Sequence, residues 1–415
     1  MSIIIGLVYA ELGVLLPKSG GDYSIIRSGL GDGPAFLFSW TSTVIMNSGG
    51  KALQALVFAD YLCAFMFGQC NAPNNIRKSI AVVELLLIAI TNTISVRYVN
   101  CLQSLFALLK IAALVVITAG GIVYLVQGKV DNFNNAFAGT TTDVTSISLA
   151  VYSCMWAYAG YTNLNVIVEE VVNPKKNVPR AFIIAIALVT AIYSSTNVAY
   201  FAVLTKIEFL AVPAVAFAWG KRVLGAGAMF IPISVMCSVY GASTVGFFVD
   251  IRQLFAAARV GHLPEVLSFL HFKSRIPLVA LVLNTIFSII LVIPADVDQL
   301  LNMLSFIGFV WQALNIITLM KLRYQRRGLP RSNDAFSVPL VVPVLALLII
   351  LFMLISPFIS NPKIEFVYGA GFVLSGLIVY VPFVVFKLKL PGWDFVTMYS
   401  QLFLEVCPTV LHEDI

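Results

Sequence analysis

Long apolar runs of about twenty residues follow one another along almost the whole chain, separated by short polar segments. A helix that crosses a bilayer needs roughly 20 mostly apolar residues. The runs 34–60, 79–96, 104–126, 145–168, 181–204, 229–250, 278–293, 299–320, 338–359 and 366–386 approach or exceed that length. The stretch 1–16, apolar apart from Glu11, reads as the second half of a further span whose start is not in the sequence. It lacks the basic start and small-residue cleavage site of a signal peptide. In lipid each backbone polar group needs a partner within its own segment, so continuous apolar runs predict helices. Barrel strands would instead alternate over about ten residues. The expectation is an all-α membrane protein, with a polytopic domain over 1–390 and a cytoplasmic tail over 391–415.

Composition agrees with the pattern. The chain of 415 residues is 60% hydrophobic and 11% charged, with mean hydropathy +0.94. Soluble domains carry about 25% charged residues, so lipid must cover much of this surface. The net charge of +6 does not indicate nucleic acid, because the basic residues are scattered between apolar runs and form no stripe. Most of the 26 Lys and Arg lie in one set of alternate loops, including Lys175, Lys176, Arg180, Arg323, Arg326 and Arg327. By the positive-inside rule that set and the C-terminus are cytoplasmic. Residues 61–78 and 127–144 then lie outside. The 6 Cys form no CxxC, and the 3 His (His262, His271, His412) fall outside the apolar runs. No metal set, cofactor motif or nucleophile constellation is present in a span, so neither an enzyme nor a cofactor is expected.

Candidate chemistry concentrates in 152–180, YSCMWAYAGYTNLNVIVEEVVNPKKNVPR. Small residues and Gly160 sit between Trp156 and Tyr161, and the run ends in Asn163, Asn165, Glu169 and Glu170. A helix broken there would free peptide groups at membrane depth to grip a ligand's charged ends. On periodicity alone, an unbroken helix packed by its small-residue face is the better reading. Two cations lie inside spans. Lys110 could reach a membrane face along its own stem or fill a functional place. Lys51 follows Asn47 and Ser48, which read equally as substrate neighbours or as polar links between helices. Cys70 lies in the outer loop FGQCNAPNN, with Cys63 nearby. A free thiol, a bridge between the two, and a bridge to another chain are all open.

The segments WAYAGYTNLN and EEVVNPKKNVPRA resemble the sixth helix and following loop of the amino-acid/polyamine/organocation superfamily. The match is to light chains of heteromeric amino-acid transporters. It continues through YAELGVLLPKSGGDY (9–23), RQLFAAARVGH (252–262), GHLPEVLSFLH (261–271), VPLVVPVLALL (338–348) and LEVCP (404–408), in order along the chain. The resemblance implies a LeuT-like fold, two inverted repeats of five helices plus two more. On that template the chain begins inside the second helix and lacks the first.

The function implied is sodium-independent amino-acid exchange by alternating access. Trp156 aligns with an aromatic gate over the substrate, and Ala157, Tyr158, Ala159 and Gly160 with the unwound segment. Ala159 stands where carriers of cationic amino acids and cystine place Asp, which implies neutral substrates. Asn47, Ser48, Ser243, Phe306 and Phe309 align with substrate-lining positions, as do Thr244 and Ser305. Lys110 is implied to replace a coupling sodium ion, its ammonium joining the first and eighth helices. Cys70 is implied to bond a single-span glycoprotein heavy chain at the plasma membrane. The runners-up are a proton-coupled or facilitative carrier without a heavy chain, and an inactive fragment.

Overall fold

The computed structural model describes residues 1–17, 20–68, 73–94, 96–134, 136–166, 168, 171–212, 214–294, 296–325, 336–360, 364–388 and 392–408. Helix α1 is Ser2–Leu15, followed by α2, Gly21–Leu30. The next span is made of α3 (Asp32–Thr41) and α4 (Asn47–Phe67), joined through a π-helical turn at Ser42–Met46. Then come α5 (Asn74–Ile94), α6 (Val96–Val126) and α7 (Val144–Ala157). Helix α8 is Pro174–Val203, and the short α9 (Lys206–Ala211) and α10 (Val215–Val223) lead to α11, Phe230–Arg259. Helices α12 (Leu278–Val292), α13 (Val297–Gln325), α14 (Val341–Ser360) and α15 (Ile364–Tyr380) complete the bundle. A last helix, α16 (Trp393–Leu404), lies in the tail.

Helix ends follow local chemistry. Asp143 caps α7 by accepting from the Ser146 backbone N–H at 2.8 Å. Pro174 opens α8, where its missing N–H costs nothing. Thr205 and Glu208 form a reciprocal capping box on α9, and Arg222 reaches Glu208 at 2.7 Å. That cluster holds the Glu208 carboxyl down at about 2. Gly68 ends α4 with φ 67°, which a side chain would strain.

Among the described residues, seven helical segments are long and apolar enough to cross a membrane. Their outward faces keep large apolar side chains exposed: Leu108 67%, Ile184 65% and Ile378 76%. In water such a surface would be untenable; in lipid it is the contact face. The core is aromatic and aliphatic, with Tyr9, Leu56, Phe247, Phe309, Trp311 and Phe366 buried. Gly121 lets α6 and α8 approach closely, since a Cβ there would overlap Ala199. Polar cross-links tie the helices: Tyr152 Oη donates to Met353 O at 2.9 Å, and Ser356 Oγ to Ser148 Oγ at 2.7 Å.

The tail is joined to the rest. Val406–Cys407 pairs antiparallel with Leu270–His271, in the loop after α11. This two-stranded ladder lies outside the apolar runs, where periodicity carries no signal. It ties the C-terminal tail to the loop after α11.

Candidate substrate-binding site

The helix break is real. Helix α7 stops at Ala157, and the chain resumes as a 3₁₀ turn at Tyr161–Val166. Across the gap Tyr158 N bonds Met155 O at 3.1 Å and Ala159 N bonds Trp156 O at 3.0 Å, so the i→i−4 ladder gives way to three-residue turns. Gly160 takes φ 108°, a conformation that L side chains rarely adopt, and this reverses the local path. Asn165 holds the far side by donating Nδ2–H to Tyr9 O on α1 at 3.2 Å. Tertiary contacts thus impose a break that periodicity alone disfavours.

A cavity of about 170 Å³ opens beside this break. Met155, Trp156, Ala159, Gly160 and Thr162 form one wall. Ser305, Gly308, Phe309 and Gln312 of α13 form the facing wall, at helical spacing, with Leu304 and Trp311 beside them. Met46 closes it from the π turn, and Asp22 from α2. A cavity of roughly 150 Å³ takes a molecule the size of benzene, so an amino acid is of the right order. Several of its polar groups are buried and unpartnered among the described residues: Asp22 Oδ1, Trp311 Nε1 and Gln312 Oε1. Among the described residues, Asp22 is the one ionisable side chain in this wall. Burial raises its carboxyl to about 7, opposed by hydrogen bonds from Tyr9 and Asn315. Tyr9 Oη lies 3.3 Å from Asp22 Oδ2 and accepts from Asn315 Nδ2 at 2.8 Å.

The expected residues divide. Trp156, Ala159, Gly160, Phe309 and Ser305 line the cavity. The Trp156 ring lies beside Gly50. Ala157 and Tyr158 flank the break outside the cavity wall, and the Tyr158 ring packs edge-on to Tyr193 at 5.8 Å. Ser48 is turned away: its Oγ donates to Thr43 O at 3.1 Å and lies 3.3 Å from Asn284 Oδ1 on α12. Asn47 also lies outside the cavity lining, its Nδ2 buried. Ser243 donates to Gln54 Oε1 on α4 at 2.8 Å, and Thr244 to Tyr240 O on its own helix at 2.8 Å. Phe306 packs on Phe358 and Phe366, one helical position off the face that Ser305 and Phe309 share. Lys110 is exposed on α6 with no ion pair among the described residues. Lys51 pairs instead with Asp250 at 2.9 Å. Cys70, Glu169 and Glu170 lie outside the described residues; Cys63 is a free, buried thiol.

Sequence reasoning missed Asp22, Met46, Met155, Thr162, Leu304, Gly308, Trp311 and Gln312. The spacing i, i+3, i+4, i+7 from Ser305 would have added Gly308 and Gln312 and dropped Phe306. No pattern marks Asp22, which reaches the cavity only through tertiary packing.

An interrupted membrane helix beside a cavity with convergent polar groups defines a carrier of small solutes with the LeuT-like architecture. The chain belongs to the amino acid permease family, whose model matches residues 1–386. It is 39% identical over 407 residues to b(0,+)-type amino acid transporter 1 of Mus musculus, covering 97% of this chain and 82% of that protein. It is 36% identical over 415 residues to the cystine/glutamate transporter of Homo sapiens, covering 98% and 81%. It is 33% identical over 417 residues to large neutral amino acids transporter small subunit 2 of Homo sapiens, covering 100% and 77%. The protein is therefore an amino-acid transporter and not an enzyme, and the resemblance read from its motifs holds over nearly the whole chain.

Proposed function

We propose that the protein exchanges neutral amino acids across the plasma membrane without sodium, by alternating access. The observation that carries this reading is the break at Ala157–Gly160 opening onto the cavity. The carbonyl end of α7 favours the substrate ammonium, and the Trp311 indole N–H is a donor for its carboxylate. Trp156 is the aromatic gate over the bound molecule. Ala159 places a methyl, and no charge, where the side chain would lie, which supports neutral substrates. Exchange needs no bond chemistry: a loaded carrier crosses between states faster than an empty one, because substrate binds the barrier state best. Lys110 stands in for a coupling ion. The C-terminus is cytoplasmic by the distribution of Lys and Arg.

The protein works in this reading as the light chain of a heterodimer, bonded through Cys70 to a single-span glycoprotein. Support comes from the position of Cys70 in an outer loop and from a relative named as a small subunit. The test is exchange in proteoliposomes loaded with leucine, alanine, arginine or cystine. Leucine and alanine should exchange, and arginine and cystine poorly. Uptake into vesicles with no amino acid inside, a sodium-dependent rate, or strong arginine exchange overturns the respective part. A non-reducing gel shift that survives Cys70→Ser refutes the bond.

A further inference from the structure

The bundle holds a second polar centre away from the cavity. Lys51 on α4 is 7% exposed, and its Nζ lies 2.9 Å from Asp250 Oδ2 on α11. Glu84 on α5 is 1% exposed, and both its carboxyl oxygens lack a hydrogen-bond partner among the described residues. Its helix packs on α4, which carries Lys51. Helix α12 contributes neutral groups only: the Asn284 amide beside the Asp250 carboxyl, and Ser288, whose Oγ donates to Asn284 O at 2.8 Å. Gly246 makes room for the ammonium, since a Cβ there would overlap Lys51 Nζ and Cε. Helices α4, α5, α11 and α12 all pack on one another, and the three ionisable groups they carry are all buried.

The charges do not balance. One ammonium neutralises one carboxylate, and a second carboxylate in a membrane interior is costly unless it is paired or takes up a proton. Lys51 leaves little room for a metal cation, which its own charge repels. The cluster is also wired to the cavity. Ser48 Oγ donates to Thr43 O and lies 3.3 Å from Asn284 Oδ1, and Thr43 belongs to the π turn that ends at Met46 in the cavity wall. Other charged groups on the packed elements are engaged or remote. On α4 Asp60 is closed by Arg77 of α5 at 2.8 Å. On α11 Arg252 and Arg259 are exposed over the Phe248 and Phe255 rings, at 4.2 and 5.7 Å, and Tyr240 meets Thr91 of α5 at 2.6 Å; on α5 Lys78 donates to Ile293 O, and on α6 Lys110 is exposed.

We propose that Lys51, Asp250 and Glu84 form a proton-binding centre that is loaded in one conformational state and emptied in the other, so that transport carries a proton with the amino acid. Loading forms an O–H bond between a proton from water and a carboxylate oxygen of Glu84 or Asp250. Release breaks that bond and returns the proton to water on the other side. The proposal goes beyond the exchanger reading and depends on it only for the link to substrate.

The test uses the full-length carrier in proteoliposomes with a trapped pH-sensitive dye and leucine exchange. Acidifying the outside should speed uptake, by up to about tenfold per pH unit, the limit for one proton. The dye should report inward proton movement during uptake. Glu84→Gln, which keeps shape and removes the titration, should fold, exchange, and flatten both responses. A parental pH profile in Glu84→Gln overturns the proposal, as does uptake driven by a sodium gradient in place of the proton gradient. If the parent shows no exchange at all, the carrier reading fails, and the melting temperature of the detergent-solubilised protein decides the proton. Parent and Glu84→Gln should then diverge with pH; superimposable curves overturn the centre.

Discussion

The ion pair of Glu11 and Arg323 offers a sharp test of how this bundle is held. Glu11 is 2% exposed on α1, and Arg323 lies near the end of α13. Arg323 Nε donates to Glu11 Oε1 at 2.7 Å, and a second guanidinium nitrogen reaches Oε2. The Val338 N–H donates to the same carboxylate at 2.9 Å, and Arg323 returns a bond to Val338 O at 2.7 Å. One buried charge pair thus joins α1, α13 and the segment leading into α14. Arg323→Met leaves a buried carboxylate with only the Val338 N–H, and breaking such a pair costs about 3–5 kcal/mol. Glu11→Leu with Arg323→Met removes both charges. What remains is the orphaned C=O of Val338, already lost in Arg323→Met, and its orphaned N–H, which adds about 1–3 kcal/mol. The double variant should therefore be more stable than Arg323→Met alone. Unfolding titrations with sodium dodecyl sulfate in mixed micelles measure all three proteins. A loss below about 1 kcal/mol for Arg323→Met, the value of an exposed pair, would show that water reaches the site and refute the reasoning.

Three further outcomes follow from the site. Gly160→Ala meets open space, its nearest neighbour being Asn163 Nδ2 at 4.0 Å, so its cost is conformational, about 1–2 kcal/mol; exchange should fall sharply, and unchanged exchange in a stable variant would count against the break. Trp156→Ala should weaken substrate affinity by at least about tenfold, or about 1.4 kcal/mol, while Phe306→Leu, packed among aromatics off the cavity, should leave affinity unchanged. Asp22 sits above the usual carboxylate range, so the folded state holds its proton more tightly than the unfolded chain. Its contribution to stability is complete below the unfolded value of 3.8 and is lost as pH rises through about 7. Asp22→Asn should flatten that part of the melting-temperature profile, and a parental profile would refute the assignment.

Much of the architecture was legible because the bilayer is a demanding solvent. Backbone groups have no alternative partner in lipid, so apolar length alone marks the spans. The α7 break needed more. Small residues around Gly160 suit a tightly packed helix equally well, and only the anchorage of Asn165 on Tyr9 O and the positive φ of Gly160 decide between the two. Phe306 and Phe309 are alike in sequence; a turn of about 100° per residue sends one to the aromatic core and the other to the cavity.

Charged residues divide in the same way. The sequence by itself determined that Glu11, Lys51, Glu84 and Asp250 lie within or beside apolar runs, because that needs only their neighbours along the chain. Which of them meet was decided by helix packing, since Lys51 and Asp250, or Glu11 and Arg323, come together across hundreds of residues. Sequence periodicity records which face a side chain is on, whereas a pairing energy depends on distance and on the exclusion of water, and both exist only once the helices are assembled.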